Sequence, residues 1–465
     1  MVMELNKEII KAIIKDESRV KFDSAIEEKY QSDTLGRLKG HASALIFVKS
    51  TEEISGLLHY AYENNIPVTP RGVGTNLVGS TVPVEGGIII DLSQMNHILE
   101  IDQETMTITV EPGILLSHLQ SELATIGLFY PPDPGEKEST IGGNISTNAG
   151  GMRAVKYGVT RDYVKGLEVI LADGRILNIG GKNIKDASGL SLTNLVVGSE
   201  GTLCIISKCL LKLIPAPEKT VSAIIPYQDL EAGIGSVLKI LQADAHPTAV
   251  EFISRKVVSL GEEFTRISYP RQDAGSYILV TFDGHKEEIE HNTKRVKELA
   301  IKTGALDFIA LTDEEAADIW KVRGALVKAV EAKSEQEPVD IVVPINKSAE
   351  FISFVNQLEE ETGLQIVSFG HAGDGNVHLC VVRGTRDAAA WNEVLQVNMK
   401  QIYEKAYELG GLVSGEHGIG LTKRNYFFAG TPAINIEVMN SIKASLDHHF
   451  ILNNKKSYLT GRGEN

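Results

Sequence analysis

The stretch that most limits what this chain can become is residues 70–76, PRGVGTN. Gly72 and Gly74 free successive backbone N–H groups to point to one side, and such a nest suits the oxygens of a pyrophosphate. The loop follows a helical pattern over residues 52–63 and a short β-branched run, but it opens no second helix. The chain passes through Gly79 and Ser80 into VEGGIIIDL, which reads as a strand. A Rossmann turn must open a helix and a Walker loop must carry Gly-Lys-Ser/Thr. Neither condition is met, so the loop calls for a different nucleotide-binding architecture.

A second glycine-rich stretch, residues 139–151 (STIGGNISTNAGG), sets four glycines among small hydroxyl and amide side chains. Backbone of that composition approaches a flat ring closely while donating hydrogen bonds, which is what the edge of a flavin requires. A single loop of this kind is commonly an ordinary turn. One suited to phosphate followed by one suited to a ring makes the ordinary reading a poor one.

Around these loops, β-branched runs at 68–70, 87–91, 107–110, 167–171, 195–197 and 204–213 read as strands. IPAPEK at 214–219 marks a domain boundary. Beyond it, helical spacing at 230–241, 287–303, 313–330 and 348–362 alternates with extended runs at 248–253, 277–282, 340–343 and 365–369. Ser348 is placed to cap its helix and Gly363 to end it. The expected fold class is α+β, a two-part nucleotide-binding domain joined to a cap domain with an antiparallel sheet and helices on one face. The expected division is an N-terminal helical segment 1–39, a binding domain 40–218, a cap domain 219–423, and a helical segment 424–465 packing back on the binding domain.

Two further motifs carry chemistry. In residues 369–379, FGHAGDGNVHL, the AGDGN centre can turn the chain between extended arms and leave His371 and His378 on neighbouring strands, within reach of one ion. Residues 414–420, SGEHGIG, add Glu416 and His417 on a loop with glycine on each side. Two histidines and a carboxylate make an open divalent site, and zinc, manganese and iron(II) all tolerate that set. A lone histidine is usually structural, but three of the chain's 12 fall in these two short motifs. Arg323, in DIWKVRGAL, is a candidate partner for a substrate carboxylate because guanidinium pairs with carboxylate bidentately; a helix-surface ion pair is the alternative.

Composition removes other classes. The 46 basic and 61 acidic residues give a net charge of −15, so nucleic acid and anionic membrane surfaces are repelled. No apolar run approaches the roughly 20 residues of a transmembrane helix. The first residues, MVMELNKEIIKAIIKDESRV, carry charges every few positions and do not read as a signal peptide, so a cytoplasmic location is expected. Cys204, Cys209 and Cys380 form no C-x-x-C pair, against both a disulfide framework and an iron–sulfur cluster.

PRGVGTN, PPDPGEKESTIGGNISTNAGG and GSEGTLCIISKCLLKL resemble the flavin-binding domain of the vanillyl-alcohol oxidase and p-cresol methylhydroxylase family. The two histidine motifs narrow the resemblance to its D-lactate dehydrogenase, D-2-hydroxyglutarate dehydrogenase and glycolate oxidase D-subunit branch, over residues 40–456. It implies that Pro70, Arg71, Gly72, Val73, Gly74, Thr75, Asn76, Gly79 and Ser80 cradle the FAD pyrophosphate. It implies that Pro134, Thr140, Gly142, Gly143, Ser146, Thr147, Asn148 and Gly150 line the ribityl chain and isoalloxazine, with Glu200, Gly201 and Ile206 closing the adenine side. Some relatives attach the flavin through a histidine in the first loop; Thr75 stands there, so non-covalent FAD is expected.

The same resemblance implies that His371, His378 and Glu416 bind the metal, that His417 is the catalytic base and that Arg323 binds substrate. The implied reaction oxidises a small D-2-hydroxy acid, D-lactate best, by hydride transfer to flavin N5. Glycolate and D-2-hydroxyglutarate are the alternatives. Relatives that take dicarboxylates often carry lysine just before the strand at 339–343, where this chain has Pro338. With no internal carrier, the electrons are expected to leave through an electron-transfer flavoprotein or another soluble acceptor, the chain acting alone or in a homo- or hetero-oligomer. Two other readings stand beside this one: a metallohydrolase using the same ligands, and a non-catalytic flavoprotein subunit of a larger complex.

Overall fold

A computed structural model describes residues 5–460; the first four residues of the N-terminal segment and the last five of the polar tail lie outside the described residues. The chain divides into two compact units. Met1–Ala149, Val159–Ala216 and Glu416–Asn465 make the first, and Gly150–Gly158 with Pro217–Gly415 the second. Sequence patterning drew the later boundary at 423, whereas the chain changes unit between Gly415 and Glu416. The reason is local: Gly415 N–H donates to Asp340 in the second unit, while Leu421 N–H donates to Val78 in the first.

The first unit holds a four-stranded sheet in the order Val20–Phe22, Ala44–Phe47, Ile88–Asp91, Val68–Arg71, the last three parallel. Parallel strands are covered on both faces and therefore read as continuous apolar runs. Ile88 and Ile90 pack into a core with Ile54, Leu57, Leu58 and Ala61 of the helix Thr51–Glu63, while Ile89 joins Leu45 and Ile26 on the opposite face. That helix starts where Ser50 accepts the Glu53 N–H, with Glu52 and Glu53 in its first turn. Burying a side chain such as Leu57 contributes about 1.5–3 kcal/mol. The C-terminal segment extends the same sheet: Val68 N–H donates to Ile451 and Asn453 N–H to Val68.

A five-stranded antiparallel sheet follows, in the order Ile98–Asp102, Thr107–Val110, Cys204–Lys212, Val164–Leu171, Ile176–Gly180. Two local expectations change here. Residues 195–196 end a helix, Leu192–Val196, and Val197 follows it in extended conformation, because a short apolar run does not by itself distinguish helix from strand. The second glycine stretch contains a helix, Ile141–Thr147, capped by Thr140 and ended by Asn148 at φ +52°. Glycine lowers helix propensity, but Gly142 is required by packing, since a Cβ there would lie 2.6 Å from Pro112.

The second unit is built on a seven-stranded sheet whose neighbours are all antiparallel: Ile309–Ala310, Lys219–Tyr227, Ser276–Gly284, Ala249–Ser254, Gln365–His371, Asn376–Val382, Gln336–Val342. Helices cover both faces of this sheet rather than one. Tyr277, Leu279, Ile253, Val367 and Phe369 pack with the helices Arg255–Thr265 and Asp313–Glu331. The alternate residues Ile278, Val280, Phe282 and Phe252 are equally buried, and the helices Leu230–Leu241, Lys286–Lys302 and Ser348–Thr362 pack on the same strands. Ser348 is the first helical residue rather than the cap, because a 3-10 turn, Ile345–Lys347, already winds the chain into the helix. Gly363 ends it at φ +63°. Pro338 lies inside an edge strand, where a missing N–H costs no ladder bond on the outer side. Among the described residues, no helix is long and apolar enough to cross a membrane.

Candidate functional site

In the first unit the two glycine loops meet. A Cβ on Gly72 would lie 2.3 Å from Thr140 Oγ1, so the first loop touches the cap of the second loop's helix. Gly74 takes φ +84°, a conformation that side chains rarely adopt. None of the backbone N–H groups of Gly72, Val73, Gly74 and Thr75 finds a protein acceptor among the described residues, and Val73 is 40 % exposed. Gly143 is exposed beside them, with only Thr140 near its missing Cβ. Unclaimed donors over a glycine-lined surface fit the pyrophosphate and ring edge of FAD.

Several residues expected to touch the cofactor also bond within the protein. Arg71 is buried, donates to Thr81 Oγ1 and the Lys29 carbonyl, and sits beneath Gly74. Burial lowers its pKa, partly offset by Asp91 and Tyr30. Asn76 Oδ1 takes the N–H groups of Val78 and Ser80, shaping the end of the loop. Pro134 and Ile206 are buried, and Gly201 leaves room for Pro70, to which a Cβ would come within 2.7 Å. Ser146 and Thr147 return their hydroxyls to the carbonyls of Gly142 and Gly143, and Asn148 accepts the Arg161 N–H. Gly79 is at φ +78°, and Gly150 opens the short segment that belongs to the second unit.

Glu200 departs most from expectation. Its carboxylate is filled by protein donors: Ser80 Oγ at 2.8 Å, Gly420 N at 2.8 Å, Ser457 Oγ at 2.9 Å and Ile419 N at 3.0 Å.

In the second unit the chemistry gathers on one face of the seven-stranded sheet. Register sets His371 opposite Glu251, His378 opposite both Phe369 and Asp340, and Asn376 opposite His371. Directly opposed residues of antiparallel strands share a face. The turn between the histidine strands is residues 372–375, with Gly375 at φ +84°. The two rings stand perpendicular, 5.1 Å apart, and their ligand nitrogens lie within 4.8 Å of each other. A ligand oxygen of Asp340 is equally close to His378.

His371 Nδ1 is 2.7 Å from Glu251 Oε1. A carboxylate only accepts, so Nδ1 carries a proton toward Glu251, as it does in histidines that ligate metal through the other ring nitrogen. Glu251 is fully buried; burial pushes its carboxyl up, but His371 and Arg323 outweigh that and hold it below the usual value. Arg323 was expected to grip substrate bidentately. Its Nε and Nη2 instead both bind Glu251 Oε2, at 2.8 and 2.6 Å, and its guanidinium lies over Phe369. Sequence reading does not find Glu251, a single acid in an apolar strand, or Asp340, which shares its strand with Glu337, because neither lies in a motif.

Glu416 and His417 follow Gly415 directly, with Glu416 Oε1 3.7 Å from His417 Nε2. The loop is pinned before them by Asp340, which accepts from Ser414 Oγ at 2.7 Å and Gly415 N at 3.2 Å, and after them by Glu200. Gly415 must be glycine, since a Cβ would lie 2.2 Å from Asn376 Nδ2. Within the second unit, the imidazoles of His371 and His378 beside the Asp340 carboxylate are donor types that suit a divalent ion. All three cysteines are buried, and burial pushes the thiols of Cys204 and Cys380 up to about 12, which leaves them inert.

Comparison with known proteins agrees with this division of labour. Residues 42–180 match the FAD binding domain family and residues 216–457 the FAD linked oxidases C-terminal domain family. The chain is 42 % identical to a D-lactate dehydrogenase of Anaerostipes hadrus, covering 94 % of each chain. It is 38 % identical to the glycolate oxidase subunit GlcD of Bacillus subtilis, covering 92 % of each. A D-lactate dehydrogenase of Archaeoglobus fulgidus is also 38 % identical, over 87 % of this chain and 88 % of that one. Among solved structures, p-cresol methylhydroxylase with substrate bound superposes with a TM-score of 0.82 at 17 % identity, covering 98 % of each chain, which shows the shared fold.

Proposed function

This chain belongs to the FAD-linked oxidase family and is an FAD-dependent 2-hydroxyacid oxidoreductase; from that premise we propose a metal-dependent dehydrogenase that converts a small D-2-hydroxy acid, D-lactate best, to its 2-oxo acid. The observation that carries the metal-assisted reading is His371, backed through Nδ1 by Glu251 and set perpendicular to His378 on the next strand. A metallohydrolase reading has no use for the matched FAD-binding domain.

Residues 72–75 would hold the FAD pyrophosphate through their N–H groups, and the helix Ile141–Thr147 with Gly143 would meet the ring side. With Thr75 in the first loop, the flavin is held without a covalent bond. His371, His378 and Glu416 would bind one zinc, manganese or iron(II) ion. FAD, when bound, supplies the two-electron acceptor for the substrate's Cα hydrogen. The divalent ion, when bound, supplies positive charge that acidifies the substrate hydroxyl. His417 takes the hydroxyl proton on its imidazole, and the loop anchors at Asp340 and Glu200 keep that imidazole in place. Arg323 already gives two of its five N–H groups to Glu251, so it would meet the substrate carboxylate through those that remain on Nη1 and Nη2.

Pro338 offers no cation to a second carboxylate, which favours lactate or glycolate over a dicarboxylate. The reduced flavin is reoxidised by an external carrier such as an electron-transfer flavoprotein. The test is an anaerobic screen of D- and L-2-hydroxy acids against the purified yellow protein. D-lactate is expected to bleach the flavin fastest, with L-lactate and D-2-hydroxyglutarate at least tenfold slower, a difference of about 1.4 kcal/mol in barrier. Equal rates with both lactate enantiomers would refute the assignment.

A further inference from the structure

We propose that Glu200 is a positioning residue for catalysis: by accepting the N–H groups of Ile419 and Gly420 it sets where His417 stands relative to the ring-side helix. This rests on the reading of His417 as the base.

Glu200 is buried, takes φ +51° and makes bonds in two directions. Its backbone is tied to the ring side, with its N–H donating to the Ser146 carbonyl at 2.8 Å in the helix Ile141–Thr147. Its carbonyl accepts from Asn453 Nδ2 at 2.8 Å. The side chain is tied to the base loop, with Ile419 N on Oε1 at 3.0 Å and Gly420 N on Oε2 at 2.8 Å. Gly418 lies flat against the carboxylate, where a Cβ would come within 2.9 Å of it. His417 is thus one residue from a glycine pressed on Glu200 and two from an N–H that Glu200 holds. Its own carbonyl receives Asn76 Nδ2 from the first glycine loop at 3.5 Å.

The remaining donors, Ser80 Oγ and Ser457 Oγ, fill the other two acceptor sites, so the carboxylate has no freedom to turn. Lys456 Nζ, donating to the Ser80 carbonyl at 2.9 Å and to Asn453 Oδ1 at 2.8 Å, ties the C-terminal segment into the same buried cluster. One carboxylate thus joins the helix that would face the flavin ring to the loop that carries the base. A misplacement of about 1 Å at a reacting group costs on the order of 10²-fold in rate.

The substitution Glu200→Gln preserves shape but exchanges one acceptor oxygen for a donor, so one of the two loop N–H groups loses its partner. Flavin content and the KM for D-lactate are expected to stay within about twofold of wild type, while anaerobic flavin reduction slows roughly 10- to 100-fold. In a His417→Ala background, adding Glu200→Gln is expected to slow reduction less than twofold further, because the group it positions is gone. Equal slowing in both backgrounds, or flavin loss in step with the rate, would make Glu200 structural only and overturn the proposal. A near-normal rate for His417→Ala alone would instead show that the base itself is misassigned. Should Glu200→Gln fail to fold, Gly418→Ala crowds the same contact from the loop side and is expected to give the same split between rate and flavin content; an unchanged rate would count against the proposal.

Discussion

In the first unit the candidate site is made of backbone: glycines at 72, 74, 142 and 143, the N–H groups between them and a seven-residue helix between two caps. In the second it is made of side chains that four strands deliver to one sheet face, with Glu251, Asp340, His371 and His378 separated by up to 127 positions in the chain. A backbone-built site must be encoded contiguously, because each glycine serves its immediate neighbours. A side-chain-built site needs only the correct register, and one acid in an apolar strand gives it away no better than a buried structural charge would.

The difference predicts separable failures. Glu251→Gln weakens the bond that orients His371, so metal affinity or turnover is expected to fall roughly 10- to 100-fold, the range for such supporting partners, while FAD content is unchanged. Metal analysis and flavin absorbance on the same sample check this, and parallel loss of both would erase the distinction between the regions. Gly72→Ala should do the reverse. Its new Cβ meets Thr140 Oγ1 and forces the glycine loops apart, at about 1–3 kcal/mol for overpacking. FAD affinity is expected to drop roughly 5- to 150-fold by titration of the apoprotein, with bound metal retained.

That contrast also explains how much was legible beforehand. The α+β class, the strands on either side of the first loop and the hairpin bearing His371 and His378 all follow from period and glycine placement, which are local properties. The helix end at residues 195–196 and the helix inside the second loop are not legible because so short a helix leaves no periodic pattern; the second is set by the Thr140 cap and by packing on Pro112. Glu200 was visible as a conspicuous acid in GSEGTL, but its role depends on Ser80, Ile419, Gly420 and Ser457, which only the fold gathers. Arg323 was singled out for its charge; the buried Glu251 that claims two of its nitrogens lies 72 positions away.

The proposed reaction needs a divalent ion bound by His371, His378 and Glu416 before the hydroxy acid can reduce the flavin. The direct measurement is stopped-flow bleaching of the flavin by D-lactate without oxygen, in protein treated with chelator, then after adding back zinc, manganese or iron(II). The chelated protein is expected to stay yellow and keep its FAD, and one of these ions is expected to restore bleaching in wild type but not in His378→Ala. Bleaching at full speed in metal-free protein would contradict the proposal.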